Sequence, residues 1–362
     1  AAADALVDHG DRAAALVRSA LRDMTPATVE AVRVLARIRS PRARRLLART
    51  VRELRADAET TSALLAMPAA HGDGAAHPPA LDLTLRDHHR QLRAAARAIV
   101  LAALDAPLAP QLERALTGDD QRDRAKAFEL LAARLSANHL AAALDLLRYL
   151  TVERGTDRVP GEGAATRQRG PLLKAAAGSL SPWVRMSARQ AAANGSGPPV
   201  TAGEGASRGK RRMVISDELF ERTIVLKRIP LFTDLPLNVL LAVAGAVSTR
   251  TWLEGDQVMP AGAERRGLLI LESGRLSVDR VEWVAPACFG ELALAGEAIV
   301  WPRVVALEDA RGGFLDGLRF DELRQEHPEL VIELCRHLAR RLRHLEASAR
   351  PAALTTVLPS PP

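Results

Sequence analysis

Two hydrophobic rhythms divide this chain. Up to Ala193 apolar residues recur every three or four positions, the spacing of one helix face. After Ser216 short apolar runs alternate with Gly-centred turns. In Pro26–Ser40, Val29, Val32, Leu35 and Ile38 keep helical spacing, and Pro26 after Thr25 marks a helix start. Ser40-Pro41 opens a second helix that carries Leu46, Leu47, Val51 and Leu54. The same spacing predicts helices over Gln91–Leu104, Ala109–Leu116, Gln121–Leu135, His139–Tyr149 and Pro182–Ala193, joined by short polar turns such as Thr117-Gly118-Asp119-Asp120. Paired amphipathic helices of this kind predict an α-solenoid, with an irregular helical bundle as the alternative.

Three stretches interrupt the pattern. His71–Ala80 and Glu153–Gly170 are rich in Gly and polar residues and read as loops. Asn194–Arg212 has almost no apolar side chains and ends in Lys210-Arg211-Arg212, so 194–215 reads as a flexible linker. A helix then starts at the N-cap Ser216 and runs to Arg228, and another covers Leu237–Val247. Strands are predicted at Thr249–Leu253, Gln257–Met259, Leu268–Glu272, Leu276–Val281 and Val304–Leu307, with Gly255, Gly262, Gly267 and Gly274 at turns. Many short strands with glycine turns predict a β-roll or jelly roll. Helix returns over Phe320–Glu326 and Glu329–Glu346, the latter with an apolar stripe of Val331, Leu334, Cys335, Leu338, Leu342 and Leu345. Residues 347–362 read as a disordered tail.

Composition narrows the functional classes. The chain has 362 residues, 48% of them hydrophobic but only 3% aromatic, so Ala, Leu and Val must build its cores. A net charge of +7 makes nucleic acid a possible partner, although an Arg- and Ala-favouring coding bias accounts for it as well. Cys288 and Cys335 have neither metal-ligand spacing nor a disulfide framework, which fits a reducing cytoplasm. No apolar run approaches the ~20 residues of a membrane-spanning helix. The chain begins at Ala1, which predicts that it belongs to a longer polypeptide. His88-His89 lies in a polar stretch and is expected at a solvated helix start. No nucleophile–base set, phosphate loop or zinc-ligand set is present, so a non-enzymatic protein is expected.

Two resemblances add to this reading. Ser181-Pro182-Trp183-Val184-Arg185-Met186-Ser187-Ala188 and the pair Thr25–Leu54 resemble HEAT repeats, which makes residues 1–193 a HEAT-like helical domain. Residues 216–346 resemble a cyclic-nucleotide-binding domain in Ile229-Pro230-Leu231-Phe232, Glu254-Gly255-Asp256, Glu272-Ser273-Gly274-Arg275-Leu276, Phe289-Gly290-Glu291-Leu292-Ala293-Leu294 and Ala306-Leu307-Glu308-Asp309-Ala310. In that family the Gly-Glu turn and its short helix face a cyclic phosphate, the Glu takes the ribose 2′-hydroxyl, and an Arg in a Pro-Arg pair neutralises the phosphate. The resemblance implies a nucleotide site at Gly290, Glu291, Leu292, Ala293 and Arg303, with cAMP or cGMP as the possible ligand. A gapless reading instead puts Ile299-Val300 where Pro-Arg should fall, with Pro302-Arg303 three positions later. Three extended residues span about 10 Å, so the expected site is degenerate. Trp283 and Trp301 flank it and could fill the purine's space or simply build the barrel core.

The fold expected is thus α+β multidomain: an α-solenoid, a linker, and a β-roll with flanking helices. The order resembles the soluble tail of bacterial ATP/ADP-carrier-like fusion proteins, with Ala109–Leu150 similar to the repeat found there. That implies a regulatory or scaffolding module, tethered to an upstream membrane domain or to a protein partner on the solenoid. A homodimer through the last helix is a further possibility. A working cAMP/cGMP sensor using Glu291 and Arg303, and a nucleic-acid-binding basic solenoid, are the alternatives.

Overall fold

The computed structural model describes residues 6–7, 9–17, 20–21, 23–38, 40–67, 80–104, 108–118, 120–135, 140–151, 170–194, 215–296 and 298–349. Most of the loops expected at 71–80 and 153–170, most of the linker and most of the tail lie outside these residues. The chain divides into two compact units, Ala1–Ile215 and Ser216–Pro362.

The first unit is helical: α1 (Asp11–Val17), α2 (Pro26–Arg37), α3 (Pro41–Leu65), α4 (Ala80–Ala102), α5 (Ala109–Thr117), α6 (Gln121–Leu135), α7 (Ala141–Thr151), α8 (170–176) and α9 (Pro182–Asn194). Caps fix the starts. Thr25 and Thr28 form a capping box before α2, and the Ser40 hydroxyl accepts the Ala43 N–H at 3.1 Å before α3. The apolar stripes meet in one core that includes Leu35, Leu47, Leu54, Leu92, Ile99, Leu131, Leu146 and Leu147, all essentially inaccessible. Successive helices pack on one another, α2 on α3, α5 on α6 and α6 on α7. The long α4 nonetheless touches α2, α3, α5, α7 and α9, and the Met24 N–H donates to the Leu180 carbonyl at 3.0 Å. An open stack would confine contacts to neighbouring repeats; here early and late segments meet on a central helix.

That closure uses buried charge. Arg185 donates to Asp23 at 2.8 Å and to the Ser179 and Leu180 carbonyls. The Asp57 carboxylate accepts from the Leu180 N–H at 2.9 Å and the Ser179 hydroxyl at 3.0 Å, and lies 2.7 Å from His88 Nε2. His88 therefore does not sit at a solvated helix start. α4 begins well before it, and the imidazole is buried against Asp57. A polar neighbourhood in sequence hid a partner 31 residues away.

The second unit starts with α10 (Asp217–Arg228) and α11 (Leu237–Ala246), followed by β1 (Ser248–Trp252), β2 (Gln257–Met259), β3 (Glu264–Arg265), β4 (Gly267–Ser273), β5 (Arg275–Val278), β6 (Val281–Val284) and β7 (Ala287–Phe289). Then come α12 (Glu291–Ala295), β8 (Ile299–Val300), β9 (Val304–Ala306), β10 (Ala310–Asp316), α13 (Gly317–Glu326) and α14 (Glu329–Ala349). Two four-stranded antiparallel sheets, in the orders β1-β10-β4-β7 and β2-β9-β5-β6, share one apolar core of Met259, Leu269, Leu271, Leu276, Val278, Trp301, Val304 and Phe314. Buried Arg222 of α10 joins Glu272 of β4 at 2.8 Å and the Ala244 carbonyl of α11 at 3.3 Å.

The stripe read on the last helix is only partly internal. Of its residues Leu334 is buried, while Cys335, Leu342 and Leu345 face solvent; Leu330, outside the stripe, is buried instead.

Candidate functional site

The cassette is assembled by strand pairing. β7 lies against β4 with Leu269 opposite Phe289 and Leu271 opposite Ala287, so the chain leaves the sheet at Gly290. Gly290 has φ of +99°, and a Cβ there would sit 2.7 Å from the Gly267 carbonyl and 2.8 Å from the Trp301 ring. Only glycine makes this turn. The short helix α12 follows, with Glu291, Ala293 and Leu294 buried and Leu292 exposed.

Glu291 has charged neighbours on the last helix. Its carboxylate, 4% exposed as a residue, is ion-paired with Arg341 of α14, and His337 Nε2 lies 3.8 Å from the same oxygen. Beside it on β7, the Cys288 thiol is pushed well above its ordinary value, first by burial and then by the Glu291 charge, with Arg341 opposing. Neither Arg341 nor His337 was read as part of the site. The signal was present: both fall one heptad after the buried Leu334 and Leu330, on the face of α14 that turns inward.

Arg303, the other expected ligand residue, lies between β8 and β9. It is exposed, just before β9, and its carbonyl accepts the Asp279 N–H at 3.2 Å across the β5–β6 hairpin. Its neighbour Val304 pairs with Val278 and Met259 in the second sheet, whereas the cassette hangs from β7 in the first. Among the described residues Arg303 makes no side-chain hydrogen bond or ion pair. Val300, in the gapless position, is exposed on β8 opposite Glu264.

The space behind the cassette is filled. Trp301 is 1% exposed, its Nε1 donates to the Arg265 carbonyl at 3.0 Å, and its ring packs on Phe289 and Phe314 at centroid distances of 5.1 and 5.7 Å. Trp283 meets Phe289 edge-on at 5.6 Å. The opening left between Leu269, Leu271, Trp283 and Phe289 is about 10 Å³. That holds one water molecule at most. No group of three or more metal-ligating side chains occurs among the described residues.

No protein-family model matches the chain, and no curated protein matches it. Among solved structures it is similar to the N-terminal domain of a transcriptional regulator from Streptomyces coelicolor A3(2), with 24% identity over 36% of this chain and 99% of that chain, at a TM-score of 0.32. A cyclic nucleotide-binding domain from Methylobacillus flagellatus KT is 18% identical over 39% of this chain and 86% of that chain, at 0.31. The regulatory subunit of a cAMP-independent protein kinase A from Trypanosoma brucei is 22% identical over 36% of this chain and 51% of that chain, at 0.28. Scores of this size give no weight to any ligand.

Proposed function

We infer that residues 216–346 form a non-enzymatic regulatory module of the cyclic-nucleotide-binding type whose ligand site is occupied by the chain's own side chains. The ion pair of Glu291 with Arg341 carries this reading. The carboxylate that a ribose hydroxyl would meet already has a cationic partner, and α14 supplies it. Two further observations support it: Trp301 fills the barrel behind Gly290, and Arg303 leads into β9 of the second sheet, whereas the cassette follows β7 of the first. A buried phosphate without a cation forgoes a charge-assisted hydrogen bond of about 1.5–3 kcal/mol.

In the same reading the helical unit is a scaffold of HEAT-like pairs gathered on α4, offering protein-binding faces. The module is the regulatory portion of a larger polypeptide, with the carrier-like membrane domain upstream. Calorimetry of the whole chain with cAMP and with cGMP tests the ligand part. No heat of binding at micromolar nucleotide is expected. Micromolar or tighter binding that Glu291→Ala abolishes would sink the proposal, and its loss in Arg303→Ala would establish the working sensor instead.

A further inference from the structure

Helix α3 carries its charge in the order its own dipole disfavours. Between residues 33 and 55 the sequence holds nine arginines and one carboxylate, Glu53. In α3, Arg42, Arg45, Arg49 and Arg52 all point away from the buried face of Leu47, Val51 and Leu54 and are exposed. Spacings of three, four and three residues align them in one stripe about 15 Å long. The first turn holds no acidic residue at all. Cations belong at a helix C-terminus and anions at its N-terminus, yet Arg42 and Arg45 lie near the start, whereas Glu53 lies at mid-helix and Glu59 beyond it. Among the described residues no carboxylate pairs with Arg42, Arg45 or Arg52; Arg49 alone meets Glu53, at 2.8 Å.

Exposed, like-charged and set against the dipole, this face is left unsatisfied by the fold itself. We propose that the Arg42–Arg45–Arg49–Arg52 stripe binds the phosphodiester backbone of a nucleic acid. Guanidinium forks suit phosphate oxygens. A lipid surface fits less well, because no large apolar side chain is exposed on this helix to enter the bilayer. Binding is read here as sequence-independent, since contacts to phosphates carry no base information.

The test is fluorescence anisotropy on the whole chain with a mixed-sequence DNA duplex and a single-stranded RNA. Two further arms use phosphatidylserine vesicles and a poly-glutamate peptide. Four phosphate contacts predict a log–log salt slope near −3.6 on the duplex, about 10²-fold weaker binding at 200 than at 50 mM salt. Arg42→Ala/Arg45→Ala/Arg52→Ala should reduce that slope to about −0.9. The triple variant should also melt no lower than the parent, because it relieves the clash with the dipole. Removing equal charge from α6, in Arg122→Ala/Lys126→Ala/Arg134→Ala, should leave the slope near its parent value. No binding to either nucleic acid at 50 mM salt overturns the proposal. So does an equal loss in the α6 variant, or binding to vesicles or poly-glutamate as tight as to nucleic acid.

Discussion

Arg341 of α14 is ion-paired with Glu291 of α12, the guanidinium half exposed and the carboxylate buried. The pair pins the last helix to the cassette. Removing one member of a fully buried pair costs about 3–5 kcal/mol. Here one partner meets water and His337 stands 3.8 Å away, so the penalty must be smaller. Arg341→Ala is expected to destabilise the chain by about 1–3 kcal/mol. In a Glu291→Gln background the same change should cost at least about 1 kcal/mol less. Urea unfolding of the four proteins measures this, and additive effects would show that the pair couples nothing.

Trp301 takes up the room behind Gly290. Truncating a buried indole leaves a cavity and an unpaired Arg265 carbonyl, so Trp301→Ala is expected to cost about 3–5 kcal/mol. Trp301→Phe keeps the packing on Phe289 and Phe314 while losing one hydrogen bond, and should cost less than half as much. Equal losses in the two variants would mean that the hydrogen bond to Arg265, not the packing, carries the position.

Legibility followed the range of the contacts involved. Helix α6 and strand β2 have the residue limits that their apolar spacing predicts, because adjacent residues determine both. Strand β10 went unread. Its Gly312-Gly313 looks like a turn, yet a Cβ on Gly312 would sit 2.2 Å from the Ile270 carbonyl, and the strand needs both glycines to lie close between β4 and β1. His88 was misplaced for the complementary reason: a local polar run concealed a distant carboxylate. At the cassette, the turn at Gly290 and the Glu291 that follows it could be read from motif spacing. The partner that occupies Glu291 could not, since Arg341 lies 50 residues on in a different helix.

The helical unit should weaken as pH falls, well before its carboxylates titrate. Burial, then Arg93 and then His88, push the His89 imidazole down to about 4. An unfolded histidine titrates near 6.5, so the unfolded chain takes the proton first. This contribution is complete above about pH 6.5 and is lost between there and pH 4. Allowing for the partial exposure of His89, about 1–2 kcal/mol should go. Asp57 acts in a lower window. Burial pushes its carboxyl up, but the contacts from His88, Leu180 and Ser179 outweigh that and hold it below the usual range. Its contribution is present above about pH 4 and is lost as pH falls further. Urea unfolding at pH 7, 6 and 5 should therefore show a slope that His89→Gln flattens. An unchanged slope in that variant would place the titrating group elsewhere.

The two cysteines report on the same closing helix by different chemistry. A thiol reacts as its thiolate, and only where reagent can reach it. Cys335 lies on the exposed side of α14, while Cys288 is part-buried on β7 with its ionisation opposed by burial and by Glu291. A disulfide reagent at pH 8 should thus label one thiol per chain quickly, and Cys335→Ser should remove that phase. Cys288 should react only through opening of the module, at a rate that rises with urea. Arg341→Ala separates access from ionisation. Losing the cation raises the Cys288 pKa further, which by itself slows labelling, whereas freeing α14 from Glu291 speeds it. Faster labelling of Cys288 in Arg341→Ala is the expected outcome, followed by mass spectrometry of the modified peptide. Slower labelling would mean that the helix stays in place without its ion pair, and that Leu330 and Leu334 alone hold it over the cassette.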